Sequence, residues 1–270
     1  LALLALVPPA PASAFVCLRT QGDSGPCLRW AQGGAVLKSF LGVPPNAPLI
    51  NGTLSWDQNA INAANDWNAA GIAFHFDPRV GGDFFDPCGP RGAAHVCHNT
   101  GPAGDNPIQF VDSACGGGFG DIVAATTSCF DAASGAMLNA PVFVNRNVDW
   151  NAYDGPIRVV NARVVHDLRR VILHEFGHVL GLDHPDMNDQ AVVAIMNSRE
   201  SSVDRLQSDD VSGGFSLYPN APAPSGTNTG CQLVAGVATR AWWLLIVPPL
   251  LGVMRRRGSP NRRATRSHLR

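Results

Sequence analysis

The chain has 270 residues, 45% of them hydrophobic and 15% charged, with 28 Gly and 21 Pro; this composition excludes a coiled coil or an acidic disordered chain and suits a loop-rich globular protein of one or two domains. The net charge of −1 hides an asymmetry: residues 15–230 hold all 21 acidic residues against 12 basic ones, and the other eight basic residues lie within 240–270. An acidic body with a basic end argues against nucleic acid as a partner and for a tail that meets a membrane.

Residues 1–7 are an apolar run, followed by Pro8, Pro9 and Pro11 and then by Ala12, Ser13 and Ala14, the small-x-small form of an export cleavage site. The expected signal segment is therefore 1–14, with Phe15 the first mature residue, and the prolines speak against a buried helix there. Thr53 or Ser55 predicts the cap of a helix running to about Ala70, with Ile61, Ala64, Trp67 and Asn68 at helical spacing and Gly71 ending it. Ile72, Phe74 and Phe76 alternate with Ala73, His75 and Asp77, which predicts a half-buried strand. Further short strands are expected at 108–111, 122–127 and 142–144, between loops rich in Gly and Asp. A second helix is expected over 167–180 and a third from Ser208, where Asp209 and Asp210 suit the positive end of the helix dipole. One helix, a run of strands and two further helices, with no internal repeat, give an α+β body over 15–218.

Beyond the body, residues 219–230 are a Pro/Gly/Ser/Thr/Asn spacer. Residues 241–254 are apolar and are followed at once by Arg255, Arg256 and Arg257. Fourteen residues fall short of the ~20 that span a bilayer, so a full span recruits 232–238 and tolerates Arg240. With the Arg cluster on the cytoplasmic side, the expectation is an exported protein at the cell surface, held at least transiently by a membrane anchor over 231–270.

Six of the seven cysteines fall in the body as near neighbours, and the first expectation pairs Cys17 with Cys27, Cys88 with Cys97, and Cys115 with Cys129. Six cysteines allow 15 connectivities, and local bridges of this kind belong to an oxidising compartment. Cys231 is left over, just after Gly230. That placement resembles the C-terminal sorting tails of some bacterial surface proteins, of the kind found in myxobacteria, where a Gly-Cys pair precedes an apolar helix and an Arg cluster.

The chemistry is concentrated in HEFGHVLGLDH over residues 174–184. On a helix His174 and His178 stand at i and i+4, so both imidazoles leave one face and can share one ion. Gly181 gives the backbone freedom for a sharp turn that returns His184 as a third ligand. Three neutral imidazoles leave one position of a tetrahedral Zn²⁺ open, the arrangement of a catalytic site. Glu175, beside the first ligand, is the candidate general base. The other glutamate of the chain, Glu200, has no such context in the sequence.

HExxHxxGxxH resembles the signature of the metzincin zinc endopeptidases, and Ala194, Ile195, Met196 and Asn197 resemble the Met-turn that follows it. The resemblance implies that Met196 forms an apolar floor under the metal and is not a ligand. Leu206, Gln207, Ser208, Asp209, Asp210 and Val211, followed by Leu217 and Tyr218, resemble the closing helix of the matrixins, and 110–145 resembles the strands of their bacterial members. The implied fold is a twisted mixed sheet with an active-site helix and a C-terminal helix. Pro185 stands where matrixins commonly carry Ser, and Asn197, Ser198 and Arg199 replace their Pro-x-Tyr element, so pocket specificity is not carried over. No pro-segment with a cysteine switch is recognisable; Cys88, within Asp86-Pro-Cys-Gly-Pro, is read as a disulfide partner.

The sequence offers further candidate metal ligands. His75 and Asp77 with His95 and His98 are candidates for a structural zinc site, although strand alternation explains His75 without one. Asp105, Asp112 and Asp121 are residue types that bind Ca²⁺, and Asp and Gly equally make turns. The function expected is hydrolysis of a protein or peptide substrate by a monomer. A zinc amidase acting on a non-protein substrate and a non-cleaving surface binding module are the alternatives.

Overall fold

The structure, a computed structural model, describes residues 15–82, 87–88, 105–219 and 229–235, with Asp105 and the last segment described by backbone alone. The predicted signal segment 1–14, His95, His98, Cys97 and the tail beyond 235 lie outside the described residues.

The chain enters through β1 (Val16–Cys17), β2 (Arg19–Gln21) and β3 (Ser24–Cys27), where a Cys17–Cys27 disulfide joins the first strand to the third. β4 (Gly34–Ser39) alternates partly buried and buried positions, with Ala35, Leu37 and Ser39 facing the core. α1 (Trp56–Ala69) begins where the Ser55 hydroxyl accepts the Gln58 N–H at 3.0 Å, and Gly71, at φ +77°, takes the chain away from its end. Asp57 in its first turn is buried and accepts from Ser39 Oγ and from the Leu41 and Gly42 N–H groups, which fixes the helix to the exit of β4.

β5 (His75–Val80) starts three residues later than the alternation predicts. Ile72 and Phe74 are buried as expected, but pairing with β4 begins only at His75 opposite Gly34, so the preceding residues have hydrophobic contacts without a ladder. β5 pairs with β4 alone, an outer position that tolerates Pro78. β6 (Asp105–Val111), β7 (Ala124–Asp131), β8 (Met137–Asn139) and β9 (Val142–Asn145) follow; β6, β7 and β9 overlap the three predicted strands and are longer, and β8 was not predicted. The main sheet runs β14-β7-β9-β6-β4-β5, where β14 is Thr229–Ala235 and β8 adds to β7. β4, β5, β6 and β9 are mutually parallel, whereas β7 is antiparallel to both β9 and β14, so the sheet is mixed.

β10 (Asp149–Asn151), β11 (Arg158–Val160) and β12 (Arg163–Asp167) form a second, three-stranded sheet. Asp167 ends β12 and caps α2 (Leu168–Leu180), its carboxylate accepting the Arg169 N–H. β13 (Leu182–Asp183) returns to pair with β1, and α3 (Ser208–Leu217) closes the body. Trp67, Phe76, Phe176, Ile172 and Leu173 are fully buried between helices and sheet, and Trp67 Nε1 donates to Leu173 O at 2.9 Å. The α+β class and the three predicted helices are those observed.

The disulfides differ from two of the three expected. Cys88 bonds to Cys115, with Cα atoms 5.0 Å apart, in place of Cys88–Cys97 and Cys115–Cys129. Cys115 lies on the loop after β6, where Cys88 packs with it against Ala114, Phe119, Ala125 and Phe143, whereas Cys129 stands within the extended β7. Proximity along the chain was a poor guide because the strand carries Cys129 away from the loop. Cys129 is disulfide-bonded as well. Among the described residues no helix is long and apolar enough to cross a membrane. β14 occupies 229–235, so the boundary expected at 230 falls inside a strand.

Candidate active site

Residues 168–180 form α2 because Asp167 caps its start and an apolar face of Val171, Ile172, Phe176, Val179 and Leu180 is buried. Its last carbonyls are taken from elsewhere in the fold: Trp30 Nε1 donates to Val179 O at 2.7 Å and Tyr218 Oη to Leu180 O at 2.7 Å. Gly181 adopts φ +110°, and Leu18 N–H donates to its carbonyl at 2.9 Å. A Cβ at Gly181 would strike the Leu28 carbonyl, so both conformation and space require glycine.

The turn brings His184 back to His174 and His178, as predicted. The three Nε2 atoms lie 3.0 Å apart for His174 and His178, 3.0 Å for His178 and His184, and 3.2 Å for His174 and His184. A tetrahedral ion with nitrogen ligands at 2.0–2.1 Å needs nitrogens roughly 3.3 Å apart, which these distances approach. His174 Nδ1 donates to Ile195 O at 2.7 Å and His178 Nδ1 to Leu182 O at 2.8 Å. Carbonyls only accept, so the proton sits on Nδ1 and the Nε2 lone pairs face the shared centre. Burial, reinforced by the neighbouring His184 charge, lowers His174 to about 3, while burial lowers His184 to about 4 and holds His178 well below its ordinary value. Three neutral imidazoles with converging lone pairs suit a cation. Among the described residues this is the group of His, Cys, Asp and Glu side chains placed to hold a metal ion.

Glu175 is fully buried, and burial pushes its carboxyl up to about 8 although a hydrogen bond from Thr126 opposes the shift. Thr126 Oγ1, on β7, donates to Glu175 Oε2 at 2.7 Å, while Oε1 has no hydrogen-bond partner in the protein. One oxygen is thus held and the other is left for a reacting molecule.

Met196 lies under α2. A Cβ on Gly177 would overlap its Sδ and Cε, so the glycine in HEFGH makes room for the methionine. The turn is fixed from α3: Asp210 accepts from Ile195 N–H at 3.0 Å, Met196 N–H at 3.2 Å and Gln207 N–H at 2.7 Å. Burial raises Asp210 to about 6 against the pull of these three donors. Asp210, Ile195 and His174 form a chain of contacts in which α3 orients a metal-facing imidazole.

The segment after Met196 is held at several points. Ser198 donates to Asp186 from both its N–H and its hydroxyl, each at 2.7 Å, which ties the segment to the short 3₁₀ turn Asp186–Asn188 beginning after Pro185. The side chain of Glu200, which the sequence left without context, is buried and meets His166 Nδ1 at 2.6 Å, and the His166 ring lies against Trp150. Arg170, 2% exposed, donates to Ser201 O at 2.8 Å and to Gly155 O.

The structure does not bring the other candidate metal ligands together among the described residues. His75 is exposed on β5, and Asp77 pairs with Arg79. Asp112 pairs with Arg146 at 3.3 Å. Sequence reasoning missed Thr126, Gly177 and the binding role of Asp210. Of these only Gly177 carried a signal, since glycine inside a helix costs about 1 kcal/mol relative to alanine and asks for a packing reason.

A mixed sheet backed by a helix that carries two imidazoles and a buried glutamate, with a third imidazole returned by the turn, defines a metallohydrolase-type site. Residues 57–219 match the matrixin family, and the chain belongs to it. It is similar to Metalloendoproteinase 5-MMP of Arabidopsis thaliana, 28% identical over 130 residues, which are 43% of this chain and 36% of that protein. It is also similar to Metalloendoproteinase 4-MMP of the same plant, 44% identical over 59 residues, 22% of this chain and 17% of that protein. The matches thus span about a third or less of the length of these relatives.

Proposed function

We propose that the chain is an exported zinc-dependent endopeptidase that hydrolyses peptide bonds in protein substrates, acting as a monomer with Glu175 as general base. The observation that carries the reading is the convergence, within 3.2 Å of one another, of the Nε2 atoms of His174 and His178 on the helix that also bears Glu175 and of His184 beyond the turn. Membership of the matrixin family and the metalloendoproteinase names of its relatives support it. Zinc held by His174, His178 and His184 would supply polarisation of the scissile carbonyl and activation of water. Glu175, whose ionised form a bound dication would favour against the burial that raises it to about 8, takes the proton of the attacking water on a carboxylate oxygen and passes it to the leaving nitrogen. Thr126 holds the other oxygen during both transfers.

Export is supported by the signal pattern of residues 1–14 and by the Cys17–Cys27 and Cys88–Cys115 bridges, which belong to an oxidising compartment. Tethering at the cell surface rests on the apolar run and Arg cluster of 241–257. No ion is assigned to Asp105, Asp112 or Asp121. Glu175→Gln should retain one zinc per chain by atomic absorption while cleavage of casein falls at least about 100-fold, the usual scale of general-base catalysis. Undiminished cleavage by that variant would remove Glu175 from the mechanism.

A further inference from the structure

β7 is the strand that touches the general base: Thr126 Oγ1 donates to Glu175 Oε2 at 2.7 Å. One edge of β7 is occupied by β9 at Ala124–Thr126 and by β8 at Cys129 and Phe130. The opposite edge is covered by β14, antiparallel and in unbroken register from Thr229 opposite Asp131 to Ala235 opposite Ala125. In this register Val234 stands opposite Thr126, so β14 runs along the edge as far as the residue that holds the base. β14 lies beyond the residues matched to the matrixin family, which end at 219.

Without β14, residues 125–131 would present a row of unpaired backbone N–H and C=O groups, a ready template for another extended chain. A chain added there bonds through its backbone, so the edge accepts extended peptides of varied sequence, the requirement of an endopeptidase. The site beside this edge is also closed: His174 is 1% exposed, Glu175 0%, His178 0% and His184 5%.

We propose that β14 is an autoinhibitory strand: residues 229–235 occupy the edge of β7 on which an extended peptide substrate is bound, and the substrate must displace them. This rests on the endopeptidase reading above. Only nine residues of sequence, 220–228, separate the body from β14, and a connection of that length would place β14 at an effective concentration of roughly millimolar beside its own binding edge. A peptide in trans therefore competes at a disadvantage that disappears when the strand is released. Release by cleavage of the tether or by a pull on the following tail activates the enzyme.

The test uses the full chain in the zinc-loaded form, with two independent ways of releasing the strand. Successive N–H groups in a strand point to opposite sides, so Leu233→Pro with Val234→Pro removes a donor facing β7 whichever residue supplies it. In a second variant a site-specific protease sequence replaces part of 220–228 and is cut in the folded protein. Cys231 lies opposite Cys129 in the register, so the cut protein is assayed with and without a thiol reductant. Released forms should cleave a fluorogenic casein peptide with kcat/KM at least tenfold higher than the uncut chain, mainly through KM. A synthetic peptide of residues 229–235, with serine in place of cysteine, should inhibit them competitively.

The same comparison in a Glu175→Gln background measures binding of the fluorescein-labelled 229–235 peptide by anisotropy, without any cleavage. At least tenfold tighter binding by the released forms is expected. Equal binding before and after the tether is cut, in both redox conditions, would overturn the proposal. If binding tightens on release but no form cleaves any peptide, the endopeptidase reading fails and the strand remains an occupant of a peptide-binding edge. Equal cleavage by all forms together with equal binding would retain the endopeptidase and dismiss the inhibitory strand.

Discussion

At the scale of single residues, the site depends on small groups that do no chemistry themselves. Thr126 offers one hydroxyl to a buried carboxylate, and a hydrogen bond to a charged group contributes about 1.5–3 kcal/mol. Thr126→Val keeps the shape and removes the donor. It should lower kcat for peptide cleavage by roughly 10- to 100-fold with zinc content unchanged, since each 1.4 kcal/mol is about a factor of ten. A rate within twofold of the unmodified chain would show that Glu175 needs no help from β7. Gly177 acts by absence, leaving space for Met196 beneath the helix.

At the scale of elements, both ends of the site are controlled by carboxylates at helix starts. Asp210 accepts three backbone N–H groups with two oxygens, a task for an acceptor-only side chain. Asp210→Asn turns an amide NH₂ toward at least one of those donors, loosening Ile195 and with it the carbonyl that orients His174. Zinc affinity, measured by competition with a chromogenic chelator, should fall about 10- to 100-fold. Asp167, capping α2, is fully buried between Tyr153 N–H, Arg169 N–H and Arg170, and burial raises it to about 6 despite those partners. Its folded value lies above that of an unfolded aspartate, so ionisation opposes folding: the penalty is absent below about pH 4 and complete above about pH 6. Relative to Asp167→Asn, the unmodified metal-free chain should gain up to about 3 kcal/mol as pH falls from 6 to 4. Urea unfolding of both chains at the two pH values measures this difference, and a constant difference would mean that Asp167 is not perturbed.

At the scale of the whole molecule, cross-links and sheet order decide how distant segments meet. The Cys17–Cys27 bridge secures the N-terminal hairpin, whose neighbour Leu18 bonds to the Gly181 carbonyl at the turn of the metal-binding motif. Cys88–Cys115 joins the segment after β5 to the loop after β6. Proteolysis of the unreduced protein followed by mass spectrometry should recover the Cys88–Cys115 peptide pair and no Cys88–Cys97 pair. The reverse result would place the 87–88 turn elsewhere. β7 connects this scale to the site, since Thr126 on it holds the Glu175 carboxyl and its edge carries β14.

The local chemistry was legible in the sequence because it is encoded at short spacing. The i, i+4 geometry of a helix, a glycine able to take φ +110° and a separation of ten positions from first to last imidazole fix His174, His178 and His184 with little reference to the rest of the chain. The helices at 56–69, 168–180 and 208–217 were legible for the same reason, since caps and 3.6-residue periodicity are local signals. The short strands at 16–27 and 149–167 were not, because two to five residues carry too little alternation to stand out. What the fold alone decided are contacts between residues far apart in the chain. Thr126 met Glu175 across 49 positions, Asp210 reached the Met196 turn, Glu200 found His166, and Cys88 chose Cys115. None of these follows from spacing, because a buried hydroxyl, carboxylate or thiol selects its partner by sheet order and packing, which only the folded chain defines.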